Sequence, residues 1–391
     1  MSITKNSLSQ SFPNWPEWGK KEEENLIRAM DDGQWGTLGK QAVAFSQRFA
    51  DFLQVPYTIA INNGVQALEL LLRGCGIGRG DEVILPAYAP LSLLSAVAYV
   101  GAYPVLCDVD EKTGCLDAAG VPALITPNTR AILAFHPFGR PCDMDALAQT
   151  AKENSLLLLE ECTHAPGSRW KGTPCGALGD GSAFGFDMEQ ALTGGDGGII
   201  ATSSEEIRLH AWHYHHSGRA PWNQDNQSLN GKTFMGSNGR MAEWEAAVLD
   251  AQMDKLEEAC RIRFEKQKML KDTLKDFPGI LLPTEDERIT MESGSFFAFR
   301  FTGDRDAFLA SLQAEGIPCQ KGFAPLPFEK MANAPAFEKS TGRTFMPPAS
   351  LPNAECFWRE TVLLPGHLFL ADEQALAKMA DAIRKAVLSF Q

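Results

Sequence analysis

The sequence predicts an α/β fold: a mainly parallel sheet in a large domain, followed by a smaller C-terminal α/β domain. Three observations predict it. Short strand-like runs alternate with helix-length segments between residues 57 and 202. One run, "LLLLEEC" (156–162), is apolar without alternation, as strands covered on both faces are. After residue 240 the pattern changes to long amphipathic helix. A chain of 391 residues exceeds the usual single domain. The division is expected at 1–250 for the large domain with its N-terminal segment, and 251–391 for the small one.

The elements follow in order. Residues 22–32 and 40–53 carry apolar positions at helical spacing. "YTIAI" (57–61) reads as a strand and enters "NNGVQALELLLRGCG", a turn and then a helix over 65–73. "DEVILP" (81–86) is a strand, "PLSLLSAVAYVGA" a helix and "PVLCDVD" (104–110) a strand. "AILAF" (131–135) leads through "HPFGRP" to a helix from Asp143 to about Asn154. "GSAFGF" (181–186) and "GGIIAT" (197–202) are two further strands. "RMAEWEAAVLDAQMDKLEEACRIRFEKQKMLKDTL" makes one or two long helices, and "SFFAFRF" (295–301) is a strand. A loop rich in Pro, Phe and Ala covers 317–350, and Asp372 caps a last helix reaching Phe390. In such sheets ligands sit at the carboxyl ends of the strands. The turns after residues 61, 86, 135, 161 and 186 therefore bound the candidate pocket.

Composition narrows the function. The net charge of -13 opposes a nucleic-acid partner, which selects for a basic face. Nine cysteines, odd in number and without a CxxC pair, read as free thiols of a reducing cytoplasm. The opening "MSITKNSLSQSFPNWPEW" lacks an apolar signal core, and no run has the length to cross a bilayer, so a cytoplasmic protein without a membrane partner is expected. "HAWHYHHSGR" (210–219) holds four of the seven histidines, but no ligand set of metal-site spacing stands near it, so no metal is assigned.

The motifs "NNGVQALELLL", "GDEVILPAY", "GAYPVLCDVD", "LLLLEECTHAPGS", "LTGGDGGIIAT" and "GSNGRMAEWEAAVLDAQMDKL" resemble, in order and spacing, the DegT/StrS-type aminotransferases. These are pyridoxal-phosphate enzymes that aminate keto sugars and keto cyclitols. The resemblance implies the fold type I transferase architecture with a seven-stranded sheet. It implies pyridoxal or pyridoxamine phosphate as cofactor, and a dimer.

Carried over residue by residue, the resemblance leaves a changed site. The Schiff-base lysine falls at Gln190, whose carboxamide forms no imine and is neither acid nor base near neutral pH. Gln190 either fills the lysine's volume or supplies an amide hydrogen bond. The stacking aromatic falls at Pro90, with Tyr88 a substitute if the loop shifts. The phosphate-binding hydroxyls fall at Val65, in the pair Gly64-Val65, and at Gly185. The aspartate facing the pyridine nitrogen is Glu161, and a glutamine near the ring is His164. Asn238 and Arg240 match residues that cross to the neighbouring subunit, and Lys232 is a remote candidate for an amine supplied in trans. His136 is expected to pack at the pocket floor.

With four cofactor contacts altered together, three functions remain open. The first is a degenerate relative without cofactor, binding a sugar- or cyclitol-like ligand as a homodimer or with an active paralogue. The second is a lysine-independent enzyme, using the cofactor's amine form or acid/base chemistry through Glu161 and His164. The third is a conventional aminotransferase with its lysine elsewhere, which the fixed spacing of "FGF" and "LTGGDGG" opposes.

Overall fold

A computed structural model describes residues 8–36, 39–220, 235–330 and 334–390. Helices α1 (Lys20–Asp31) and α2 (Lys40–Leu53) precede strand β1 (Tyr57–Ile61). Then follow α3 (Gly64–Gly74), β2 (Glu82–Pro86), α4 (Leu91–Tyr99), β3 (Tyr103–Cys107), β4 (Thr129–Phe135), α5 (Met144–Glu153) and β5 (Leu157–Glu161). A short hairpin, β6 (Arg169–Trp170) and β7 (Thr173–Pro174), separates these from β8 (Gly181–Gly185), β9 (Gly198–Thr202) and α6 (Glu205–His215). The helices start where side chains accept the free backbone N–H groups of the first turn, as Asn63 does for α3, Asp143 for α5 and Ser204 for α6.

The seven strands form one sheet in the order β1-β9-β8-β5-β4-β2-β3. β2 pairs in parallel with β3 and β4, β4 with β5, and β5 with β8. Only β9 is reversed, pairing antiparallel with β1 and β8. β2, β8 and β9 are buried along their whole length, which is why their sequences read as unbroken apolar or small runs. The mainly parallel sheet expected from the sequence is therefore present.

Helix α7 (Glu243–Leu274) is one continuous element of 32 residues, so residue 250 lies inside it. Beyond it come β10 (Ile280–Leu281), β11 (Ile289–Met291), β12 (Phe296–Phe301), α8 (Arg305–Ala314), β13 (Gln320–Lys321), α9 (Pro335–Thr341), α10 (Pro352–Glu360), β14 (Thr361–Pro365) and α11 (Glu373–Ser389). The stretch read as loop from 317 to 350 thus holds a strand and a helix. Asp372 caps α11, its Oδ1 accepting from Ala375 N at 2.8 Å. A second sheet runs β10-β12-β14-β13, and β11 joins the β6–β7 hairpin. The second half of the chain is thereby stitched to the first, and one apolar core takes in Leu85, Phe135, Phe296 and Phe357 together. No described helix is long and apolar enough to cross a membrane.

Candidate functional site

A cleft of about 550 Å³ opens at the carboxyl ends of β1, β5 and β8, beside the N-terminus of α3. This is where a parallel sheet of this kind places its ligand. Gly64, Val65, Gln66, Glu161, Thr163, Gly185 and Asp187 line it, with Glu69, Ser92, Tyr99 and Asp196 at its sides.

Two glycines shape the floor. A Cβ on Gly64 would lie 2.8 Å from the Gly185 Cα, closer than real Cβ atoms approach a backbone. A Cβ on Gly185 would meet Thr163 Oγ1 at 3.1 Å and Gly64 Cα at 3.2 Å. The backbones therefore touch because neither residue carries a side chain. Thr163 occupies the remaining space: its hydroxyl accepts from Gly185 N at 2.9 Å and donates to Glu161 Oε1.

Glu161 ends β5 and is 6% exposed. Its Oε1 takes both the Thr163 hydroxyl and the Thr163 N–H, while Oε2 is buried with no hydrogen-bond partner among the described residues. Burial pushes its carboxyl up to about 7, helped by the charge of Asp187 and opposed by the Thr163 hydrogen bonds. Gln190, 4% exposed, closes the turn that begins at Asp187. Its Nε2 donates to Asp187 Oδ1 at 3.1 Å and Oδ2 at 3.2 Å, and its Oε1 is buried without a partner among the described residues. Gln190 therefore reaches the cleft through the Asp187 carboxylate that it orients.

Electrostatically the cleft has one sign. Glu69, Glu161, Asp187 and Asp196 line it, and no Lys, Arg or His is among the described lining residues. Among the described residues, only Glu69 of these four has an ion pair, with Arg73 at 3.0 Å.

Several expected site residues lie elsewhere. His164 is a correction. Its Nδ1 accepts from Phe138 N at 3.1 Å, and its ring stacks on Phe138 and Phe323 at 5.9 and 5.8 Å. Burial drives its pKa down to about 3, so it is a neutral ring in an aromatic cluster and not an acid/base partner of Glu161 in the cleft. Tyr88 is fully buried against Phe323 and Phe357 at 5.6 and 5.5 Å, so it stacks on nothing in the cleft. Both were misplaced because Phe323 and Phe357, distant in sequence, recruit them into apolar packing. Pro90 stands at the N-cap of α4. Asn238 is exposed, its Oδ1 facing Arg240 N at 3.5 Å, and it does not line the cleft of its own chain. Lys232 lies outside the described residues.

His213, His215 and His216 are buried, the latter two against the Trp212 ring, and burial lowers His215 to about 4. Elsewhere His136, Glu160 and Cys175 come within metal-ligating distance of one another. Both nitrogens of His136 are already engaged, Nδ1 by Cys142 N at 3.1 Å and Nε2 by Glu160 at 3.1 Å. Gly176, Leu178 and Gly179 each donate a backbone N–H to Glu160 at 2.8 Å. His136 and Glu160 thus form a hydrogen-bonded knot in which both ring nitrogens and both carboxylate oxygens are engaged.

Thr163, Asp187 and Asp196 were not singled out from the sequence. Thr163 lies two residues beyond Glu161, and Asp187 three before Gln190. Those short spacings were the available signal.

The sequence profile of the DegT/DnrJ/EryC1/StrS aminotransferase family matches residues 17–384. The 3-amino-5-hydroxybenzoate synthase of Amycolatopsis mediterranei is 32% identical over 387 residues, covering 96% of this chain and 97% of that protein. The L-glutamine:2-deoxy-scyllo-inosose aminotransferase of Streptomyces fradiae is 29% identical over 406 residues, covering 97% and 95%. Among solved structures, that of a 3-amino-5-hydroxybenzoic acid synthase superposes with a TM-score of 0.88 at 31% identity, covering 97% of this chain and 99% of that one. S. venezuelae DesV superposes at 0.83 with 30% identity, covering 94% of each.

Proposed function

The chain belongs to the DegT/DnrJ/EryC1/StrS aminotransferase family, and we propose that it is a member repurposed to bind a sugar- or cyclitol-like ligand without a covalently held coenzyme. The observation that carries this reading is the environment of residue 190. A carboxamide forms no imine, and here its Nε2 is held by the Asp187 carboxylate while its Oε1 is buried with no partner among the described residues.

Two more features support it. Val65 and Gly185 offer no hydroxyl at the positions where the resemblance puts the family's phosphate-binding ones, and Gly64 and Gly185 meet backbone to backbone. The described lining that this chain itself gives the cleft carries four carboxylates. The residues present do not fit a tethered pyridoxal phosphate. The backbone N–H groups at the start of α3 remain as anion donors, but they stand among acids. We take the working unit to be a homodimer, or a heterodimer with an active paralogue, in the cytoplasm. All nine cysteines are free thiols, as a reducing compartment keeps them.

One observation favours a second reading. Glu161, raised to about 7, can take or give a proton near neutral pH, which suits general acid/base work on a keto sugar or cyclitol. Since His164 is neutral and outside the cleft, that work would fall to Glu161 alone.

The test is spectroscopic. Purified protein mixed with pyridoxal phosphate should show no imine absorbance band and no covalent adduct after borohydride, read by intact mass. An adduct of one coenzyme per chain overturns the proposal.

A further inference from the structure

We propose that Trp15, in the N-terminal segment, is a positioning residue for the cleft: its indole N–H holds the turn from Asp187 to Gln190 in place from outside. The role is the same whatever the cleft binds, with or without a coenzyme.

The turn has little to hold it. Asp187, Met188 and Glu189 are exposed, and only Gln190 is buried. Its internal bonds are short in reach. Gln190 N donates to Asp187 O at 3.2 Å, Glu189 N donates to Asp187 Oδ1 at 3.1 Å, and Gln190 Nε2 grips the same carboxylate. The one bridge from Asp187 goes to Gly195, farther along the same loop. These bonds shape the turn without tying it to the rest of the molecule. Exposed backbone with few buried contacts is where proteins open locally. Among the described residues, one side chain from outside residues 186–197 hydrogen-bonds to the turn: Trp15 Nε1 donates to Met188 O at 2.8 Å. The Met188 side chain is 58% exposed, so at this residue the turn is held by its carbonyl and not by burial.

Trp15 can bear this role because it is itself anchored. Its ring lies parallel to that of His367, with centroids 6.0 Å apart and planes 8° from parallel. The guanidinium carbon of Arg263, in α7, lies 5.1 Å from the indole centroid. Arg263 is 1% exposed, and its Nε and Nη1 are buried with no hydrogen-bond partner among the described residues. A cation in that position is stabilised by an aromatic face beside it. The chain after Trp15 is pinned to α7 as well. Gln252 Nε2 donates to Glu17 O at 2.8 Å. Glu22 accepts from Gln252 Nε2 at 2.7 Å, from Lys255 Nζ at 2.8 Å and from Gly19 N at 2.8 Å. One indole thereby joins the cleft turn to α7 and to the 366–370 turn that follows β14.

The consequence falls on Asp187. Asp187 lines the cleft and Gln190 orients its carboxylate, while Met188 stands between them in the chain. Trp15 does not line the cleft, so it acts through the turn.

The experiment is hydrogen exchange of the full-length protein at neutral pH, read by mass spectrometry on overlapping peptides and paired with thermal melting. Trp15→Phe keeps a ring beside Arg263 and removes the N–H. It is expected to quicken exchange at the Glu189 and Gln190 amides about tenfold or more, with α3, β5 and the melting temperature unchanged. Trp15→Ala removes the ring too, and should add faster exchange in residues 366–370 and a lower melting temperature. Met188→Ala keeps the carbonyl and should exchange as the parent protein does. Parent-like exchange at Glu189 and Gln190 in Trp15→Phe overturns the proposal. So does quickening spread evenly over the chain, or quickening of the same size in Met188→Ala. These rates are read without coenzyme, so a borohydride adduct would end the coenzyme-free reading and leave the role of Trp15 standing.

Discussion

Glu160 and Glu161 are neighbours on β5 and point to opposite faces of the sheet, as consecutive strand residues must. Their surroundings differ completely. Glu160 is fully buried and meets four donors: His136 Nε2 and the backbone N–H groups of Gly176, Leu178 and Gly179. Glu161 meets donors only on Oε1, both from Thr163, and its Oε2 meets none. The first carboxylate is part of the frame, since it ties the turn before β8 to β4 and β5. The second faces the cleft with a carboxyl raised to about 7. Burial alone does not distinguish a structural acid from a site acid. The count of satisfied lone pairs does.

The largest test of that contrast is Glu160→Gln. The amide would turn an N–H₂ group toward buried backbone donors, and the loss is expected to be on the order of 3–5 kcal/mol. Urea denaturation at neutral pH reads it as a lower midpoint. A midpoint equal to that of the parent protein would erase the distinction between the two residues.

Glu161→Gln should act in the opposite sense. Folding raises this carboxyl's pKa from 4.5 to about 7, so its contribution to stability is complete below 4.5 and is lost as pH rises through about 7. The variant has no such loss. At pH 8 it should be the more stable protein by up to about 3 kcal/mol, with the gap closing toward pH 4. Denaturation series at several pH values check this; a gap independent of pH would show that Glu161 is solvated after all.

Thr163→Val sharpens the comparison with a smaller effect. It removes the hydroxyl that donates to Glu161 Oε1 and accepts from Gly185 N. A cost of about 1–2 kcal/mol is expected. The cost should be greater at pH 8 than at pH 6, because the lost hydrogen bond favours the ionised carboxylate. The same denaturation series reads the difference.

Much of the fold was legible because it is written in local periodicity. The apolar runs of β1, β2, β4, β5, β8 and β9, and the caps at Asp143 and Asp372, depend on residues close in sequence. The candidate site was legible in part for the same reason. Gln190, Glu161, Gly64, Val65 and Gly185 sit at strand ends and turns whose place in the sheet follows from connectivity, and all but Gln190 line the cleft directly. His164 and Tyr88 were not legible: each lies within a few residues of a strand end, yet packs against Phe323 from the second half of the chain.

The sequence by itself determined the α/β architecture, the absence of an imine-forming amine at position 190 and the glycine pair at the cleft floor. Alternation, spacing and side-chain chemistry are properties of the chain alone. Only the tertiary structure decided which of two adjacent glutamates is saturated and which is bare, and which rings leave the cleft for the core. Those outcomes depend on donors and rings brought in across long sequence separations, as Gly176 and Leu178 are to Glu160 and Phe323 is to His164. No local pattern encodes a partner that folding alone places within hydrogen-bonding distance.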